Sequence, residues 1–289
     1  MTISNINISY FYKHFHDRHS LLIGERNIEK IKRATVMVCG VGGLGSAAAY
    51  FLARYGVGSL ILLDPDVIEL SNLNRQYFFY EDVGIPKVYA VKKLLTNINP
   101  FIDVKTFHIK LQEMDPQKLR KLINTATVII DGMDDRVAKV ILNRMAKILK
   151  KPVVHAHGCG FKSTITTFLP GGPYYEELFG IPSKDLPLDK VTDDVLESYR
   201  YIATKLICGE HISGDLLESI ARGEKPMQVS VPPATINGLF TATEAIKIII
   251  GRFDLVIKAP KMLVIDPWLH KYEIIDVKPI RNDEYNNDT

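Results

Sequence analysis

Cysteine is scarce in this sequence and tryptophan scarcer: 289 residues hold three cysteines, Cys39, Cys159 and Cys208, and one tryptophan, Trp268. No two cysteines stand in Cys-x-x-Cys spacing, so the sequence predicts free thiols and indicates neither a disulfide framework nor a structural zinc site. No apolar run approaches the roughly 18 residues that a bilayer-spanning helix needs. The start, MTISNINISYFYKHF, lacks a basic segment followed by an apolar stretch, so the expectation is a soluble cytoplasmic protein without a membrane partner. An excess of charge of one sign is missing too. Lys plus Arg number 36 against 33 Asp plus Glu, a net charge of +3, which excludes the densely basic surface selected by duplex nucleic acid and leaves room only for a local patch.

What the chain has is 46% hydrophobic residues, enough to bury a sizeable core. Short, β-branched apolar runs at 34–39 and 59–64 read as strands buried on both faces, with the alanine-rich stretch 46–55 between them as a helix. Strand, glycine turn, helix and strand make a right-handed βαβ unit. The alternation continues with helices at 87–97, 116–124 and 136–149 and strands at 103–109, 127–131, 152–157 and 163–169. The predicted fold is therefore α/β, a doubly wound, Rossmann-like, mostly parallel sheet occupying 34–170. The polar and aromatic segment 1–33 precedes it as an N-terminal helical segment, with a short amphipathic helix at 27–32. The proline- and glycine-rich GGPYYEELFGIPSKDLPLDK opens a helical insertion or crossover over 171–225. Residues 226–278 complete the same domain with a helix at 236–250 and two strands, 261–265 and 272–277, an antiparallel C-terminal extension. Residues 279–289 read as a disordered tail.

Gly40-Val41-Gly42-Gly43-Leu44-Gly45-Ser46 fits the Gly-x-Gly-x-x-Gly pattern, with Asp64 nineteen residues after the last glycine at the end of the next strand. Glycines let backbone approach a phosphate or ribose, the helix amino terminus offers unpaired N–H groups, and the aspartate accepts ribose hydroxyls. The loop alone does not separate NAD from ATP. The following segment does, because Asp64-Pro-Asp66-Val-Ile-Glu-Leu-Ser71-Asn72-Leu73-Asn74-Arg75-Gln76 and then Gly84-Ile85-Pro86-Lys87-Val88 cluster polar and cationic groups that hydride transfer does not require. Attack of a carboxylate on an α-phosphate brings two anions together and expels pyrophosphate, so it needs cations, Arg75 and Lys87, and a Mg²⁺-holding carboxylate, Asp134. Asp66 either caps its turn or helps with Mg²⁺, and Asp131 either shares the metal or ends its strand.

The run LLDPDVIELSNLNRQ, with GVGGLGS before it and GIPKV and INP after it, resembles the adenylation domain of the ThiF/MoeB/HesA family and of ubiquitin-activating enzymes. The likeness is close over residues 10–170 and looser over 226–278. It implies an ATP- and Mg²⁺-dependent adenylyltransferase that activates a carboxylate, the C-terminus of a small ubiquitin-like or sulfur-carrier protein or of a peptide. Carried onto this sequence, it implies nucleotide binding by Gly40, Gly42, Gly43 and Gly45, ribose binding by Asp64, phosphate contacts by Asn72, Arg75, Gln76 and Lys87, and Mg²⁺ at Asp134. Arg18 sits where relatives carry an arginine that reaches the partner's ATP, so a homodimer is implied, with 1–33 as its contact; the plainer reading of Arg18 is a helix cap. The alternatives are an ATP-dependent dehydratase acting on tRNA, like TcdA, a nucleotide-binding partner subunit of an activating enzyme, and an NAD oxidoreductase.

Three departures narrow this reading. Zinc-binding relatives carry a Cys-x-x-Cys pair where this chain has Tyr174-Tyr175-Glu176-Glu177, and no second pair follows, so no structural zinc is expected. Ubiquitin-activating relatives carry a nucleophilic cysteine near Pro226 to Pro232, where there is none; Cys208 is a candidate relocated nucleophile, although Leu206 and Ile207 beside it favour a packed thiol. Relatives commonly have an arginine five residues after the metal aspartate, whereas this chain reads Met133-Asp134-Asp135-Arg136 with Lys139 at that offset. His155, His157 and Cys159 alternate, so on a strand they share one side; that fits a transition-metal ligand set or a polar pocket wall. Trp268 and Tyr174-Tyr175 fit a substrate groove or ordinary packing.

Overall fold

Eight strands form one sheet in the order β3-β2-β1-β4-β5-β6-β7-β8 in a computed structural model that describes residues 7–280. The strands are β1 (Thr35–Cys39), β2 (Ser59–Leu63), β3 (Asp103–Phe107), β4 (Val128–Asp131), β5 (Val153–Cys159), β6 (Lys162–Phe168), β7 (Lys261–Asp266) and β8 (Lys271–Asp276). The first five pair in parallel and β6 to β8 antiparallel. The helices are α1 (Ile8–Phe15), α2 (Ser20–Ile23), α3 (Glu25–Arg33), α4 (Gly43–Tyr55), α5 (Lys87–Ile98), α6 (Pro116–Thr125), α7 (Arg136–Ile148), α8 (Tyr175–Phe179), α9 (Glu197–Cys208), α10 (Gly214–Ala221) and α11 (Val231–Ile250).

The central strands carry unbroken apolar runs, Val36 to Cys39, Leu60 to Leu63 and Val128 to Ile130, because both faces are covered, and the period of two splits them between two cores. Val36, Val38, Leu60, Leu62 and Ile130 join one cluster, while Met37, Ile61, Leu63 and Ile129 join the other. On the first face α11 packs against α4, and Gly238 makes that approach possible because a Cβ there would overlap Ala47. α11 starts five residues before the predicted 236, since Pro232 and Pro233 fall in its first turn, where a missing N–H costs nothing. The helical segment expected at 1–33 contains α1, α2 and α3. Tyr12, buried, and His16, stacked on it, hold α1 to the body.

One expectation fails outright. Cys159 and Cys208 are disulfide-bonded, with Cα atoms 5.5 Å apart, because the fold brings the end of β5 to the end of α9; Cys39 alone stays a free, buried thiol. Cys208, fully buried among Ile212, Ile220 and Met227, is therefore not an available nucleophile. The predicted tail lies, beyond residue 280, outside the described residues. No helix among them is long and apolar enough to cross a membrane.

Candidate active site

The order of strands reverses between β1 and β4, and in such sheets ligands bind in the crevice beyond the strand ends at that switch point. Here the crevice is the mouth of a cavity of about 1200 Å³ that runs from the glycine loop to the inserted helices. The chain leaves β1 through Gly40 at φ +79°, where a side chain would strike the Gly132 carbonyl after β4. Gly45 is equally constrained, since a Cβ there would overlap the Gly40 carbonyl. α4 begins at Gly43 with no side-chain cap, so its first N–H groups are open to an anion. Ser46 donates its hydroxyl to the Gly42 carbonyl at 2.6 Å and accepts the Tyr77 N–H at 3.1 Å, tying the loop to the Arg75–Gln76 segment.

Asp64 accepts the Val41 N–H at 2.7 Å on one oxygen and the Asp66 N–H at 2.9 Å on the other. Each oxygen keeps a lone pair for a ribose hydroxyl. Burial pushes this carboxyl up, opposed by Lys87 and those two N–H groups. Lys87, only 7% exposed, reaches Asp66 Oδ2 at 2.7 Å. Arg75 is half-buried and rests its guanidinium on the Ser71 carbonyl at 2.8 Å and Asn74 Oδ1 at 3.0 Å. Gln76 lines the same space, and its buried Oε1 has no hydrogen-bond partner. Asp134 stands exposed on the opposite wall. Glycine cradle, orphaned amide oxygen, buried lysine, arginine and an exposed carboxylate together match the needs of a nucleotide triphosphate with its Mg²⁺.

The structure thus gathers Gly40, Gly42, Gly43, Asp64, Asp66, Arg75, Gln76, Lys87 and Asp134 around one cavity. Three expected residues lie apart from it. Gly45 supports the loop from behind. Asn72 spends its carbonyl on the Glu69 N–H at 3.0 Å, closing the 3-10 turn Leu70–Asn72. Arg18 is exposed in the turn between α1 and α2.

Asp131 does not share a metal with Asp134: it is buried between Lys139 Nζ at 3.3 Å, His155 Nδ1 at 3.1 Å and Asn143 Nδ2 at 3.4 Å. Burial alone would raise its carboxyl, yet Lys139 and His155 hold it well below the usual range. With His155 taken by Asp131 and Cys159 by Cys208, the three alternating residues are not a ligand set, and no group of three His, Cys, Asp or Glu among the described residues could hold a metal. His157 lines the cavity with an unpartnered Nε2, and burial, with Lys139 nearby, holds its ring down at about 3. Tyr175 lines the cavity, whereas Trp268 stacks on Phe161 at 4.3 Å.

Sequence reasoning missed the closure of the far end. Glu210 pairs with Lys162 and Lys271, each at 2.7 Å, and these hold its carboxyl at about 2. His211 Nε2 meets Asp266 at 2.5 Å. With the Cys208 disulfide, three successive chemistries in the run Cys-Gly-Glu-His clamp the inserted helices to β5, β6 and the β7–β8 turn. The density of functional side chains in that run was the available signal.

A parallel sheet with a glycine loop and cationic wall at its switch point defines an α/β nucleotide-binding protein. The chain belongs to the ThiF family, whose model matches residues 16–287. It is 29% identical over 263 residues to the adenylyltransferase and sulfurtransferase MOCS3 of Aedes aegypti, covering 90% of this chain and 52% of that protein. It is 30% identical over 267 residues to a probable molybdopterin-synthase adenylyltransferase of Porphyra purpurea, covering 90% and 67%. The chain thus spans about half the length of the Aedes relative. Among solved structures, E. coli MccB shares the fold with a TM-score of 0.66 at 22% identity, covering 93% of this chain and 73% of that one.

Proposed function

We propose that this chain is an ATP-dependent adenylyltransferase that activates a carboxylate, the C-terminus of a ubiquitin-like or sulfur-carrier protein or of a peptide, with release of pyrophosphate. The observation that carries the reading is the convergence of Asp64, Lys87, Arg75 and Asp134 on the glycine loop within one cavity. A dehydrogenase needs the loop and the aspartate but gains nothing from a buried lysine and a free carboxylate beside them. The names of the relatives, adenylyltransferases, support the same reaction class.

Asp64 orients the ribose, and the open N–H groups of α4 with Arg75 and Lys87 take the phosphates. Lys87, held at Asp66 until then, meets the charge that grows as pyrophosphate leaves. Asp134 would hold Mg²⁺, which when bound screens the repulsion between the carboxylate and the phosphates. No cysteine follows at Pro226 to Pro232 and Cys208 is tied in a disulfide, so the product is an acyl adenylate that is released or relayed. Arg18 is read as acting on the partner's nucleotide within a homodimer. ATP–pyrophosphate exchange dependent on a carrier or peptide tests the proposal; no exchange with any acyl substrate from either class, in protein shown to bind ATP, would sink it.

A further inference from the structure

The stretch of cavity wall that follows β4 carries a charge that adenylation by itself does not use. Arg136 opens α7, is partly buried and lines the cavity. Its guanidinium has no hydrogen bond or ion pair among the described residues. Tyr175, Tyr199, Arg200 and Asp193 of the inserted segment line the same cavity. None makes an ion pair or a hydrogen bond with it among the described residues. The tyrosines are buried phenols whose own ionisation is pushed up, Tyr199 to about 12. Arg200 is a second cation, engaged with the Ala221 and Arg222 carbonyls at 3.2 and 2.7 Å and with Glu197 at 3.2 Å. Asp193 makes no ion pair with it. Lys139, three residues further along α7, is engaged with Asp131.

A partly buried guanidinium without an ion-pair partner is unfavourable, and a planar carboxylate taking two parallel N–H groups is the partner that best relieves it. A second observation points the same way. His157 Nε2 is buried, unpartnered and on the same cavity, and Arg136 is among the charges that act on the ring. As a neutral imidazole it offers an N–H to an anion without adding a titrating charge.

We propose that Arg136, with His157 beside it, is a subsite that reads an acidic side chain, aspartate or glutamate, on the terminal residue whose carboxyl is activated. The proposal rests on the adenylation reading and names its substrate class. The reacting carboxyl itself is a poor occupant, because an arginine gripping both its oxygens would hold back the atoms that must attack phosphorus. Nucleotide phosphates are served from the loop side by α4, Arg75 and Lys87.

The test uses 5′-O-sulfamoyladenosine carrying a glutamyl, glutaminyl, aspartyl, asparaginyl or alanyl group on the sulfamate, with the unacylated compound as parent, in titration calorimetry of the full chain. These probes have no free terminal carboxyl, so a preference among them reports the side chain alone. The expected result is glutamyl or aspartyl binding about tenfold or more tighter than its amide counterpart. Arg136→Met should bring that ratio to near one, and Arg136→Lys should restore part of it. Equal binding of acid and amide forms by the unmodified chain overturns the proposal, as does an acid preference that survives Arg136→Met. If the parent binds and only the side-chain preference is missing, the subsite fails and adenylation stands; if no probe binds, parent included, both fail.

Discussion

Lys87 shows how a single position joins folding to chemistry. The residue is 7% exposed and its ammonium would be costly to bury alone, so Asp66, 2.7 Å away, serves as its counter-ion. Lys87→Ala is expected to lower ATP–pyrophosphate exchange by about two to three orders of magnitude, as loss of a preorganised charge does, while the melting temperature changes little. Exchange within a factor of a few of the unmodified chain would remove Lys87 from the mechanism. His16 behaves in the opposite sense to a stabilised cation. Burial on Gly56, then His19 and Lys32, lower its imidazole to about 4. The unfolded chain therefore takes up the proton first as pH falls. The stability His16 contributes is fully present above its ordinary value near 6.5 and is lost as pH drops through 4. The melting temperature should decline from pH 7 to pH 4, and His16→Gln should flatten that limb. An unchanged slope would rule out His16 as its source.

At the scale of elements, the disulfide joining β5 to α9 is the strongest restraint on the inserted segment, closing a separation of 49 residues. Cys208→Ser is expected to cost about 2–4 kcal/mol under non-reducing conditions, measured by urea unfolding. Dithiothreitol should lower the melting temperature of the unmodified chain and leave that of the variant alone; equal sensitivity of the two would mean that the thiols are not joined. This bond also marks where sequence reading ran out. The parallel strands were legible because burial on both faces forces unbroken apolar runs such as Val36 to Cys39 and Leu60 to Leu63, and the glycine loop because only glycine fits at Gly40 and Gly45. Proximity of Cys159 and Cys208 depends on how a long insertion folds back, which no local pattern encodes. Arg136 escaped for the same reason, since its significance is that no side chain of the insertion pairs with it. Asn72 lies outside the cavity lining and closes its own turn, and such a side chain has the same sequence signature as one that reaches a ligand.

For the molecule as a whole, the proposal makes activity a property of two chains. Arg18 is exposed and lies outside the cavity of its own chain, and the proposal has it reach the nucleotide held by a partner copy. Arg18→Ala should then depress exchange while leaving ATP binding to the chain's own cavity nearly intact, and Lys87→Ala should impair the cavity while sparing the donated arginine. The two defects fall in different chains of each site. In a dimer of one chain of each kind, one site combines both lesions and the other has neither. Equal mixing of two inactive variants with free exchange of subunits makes half the dimers mixed, each with one intact site of two, so about a quarter of the unmodified activity should return. Recovery should track subunit exchange and vanish when the variants are cross-linked as homodimers before mixing. An arginine acting within its own chain predicts no recovery at any mixing time, and a monomer in sedimentation at assay concentration would exclude donation between copies altogether.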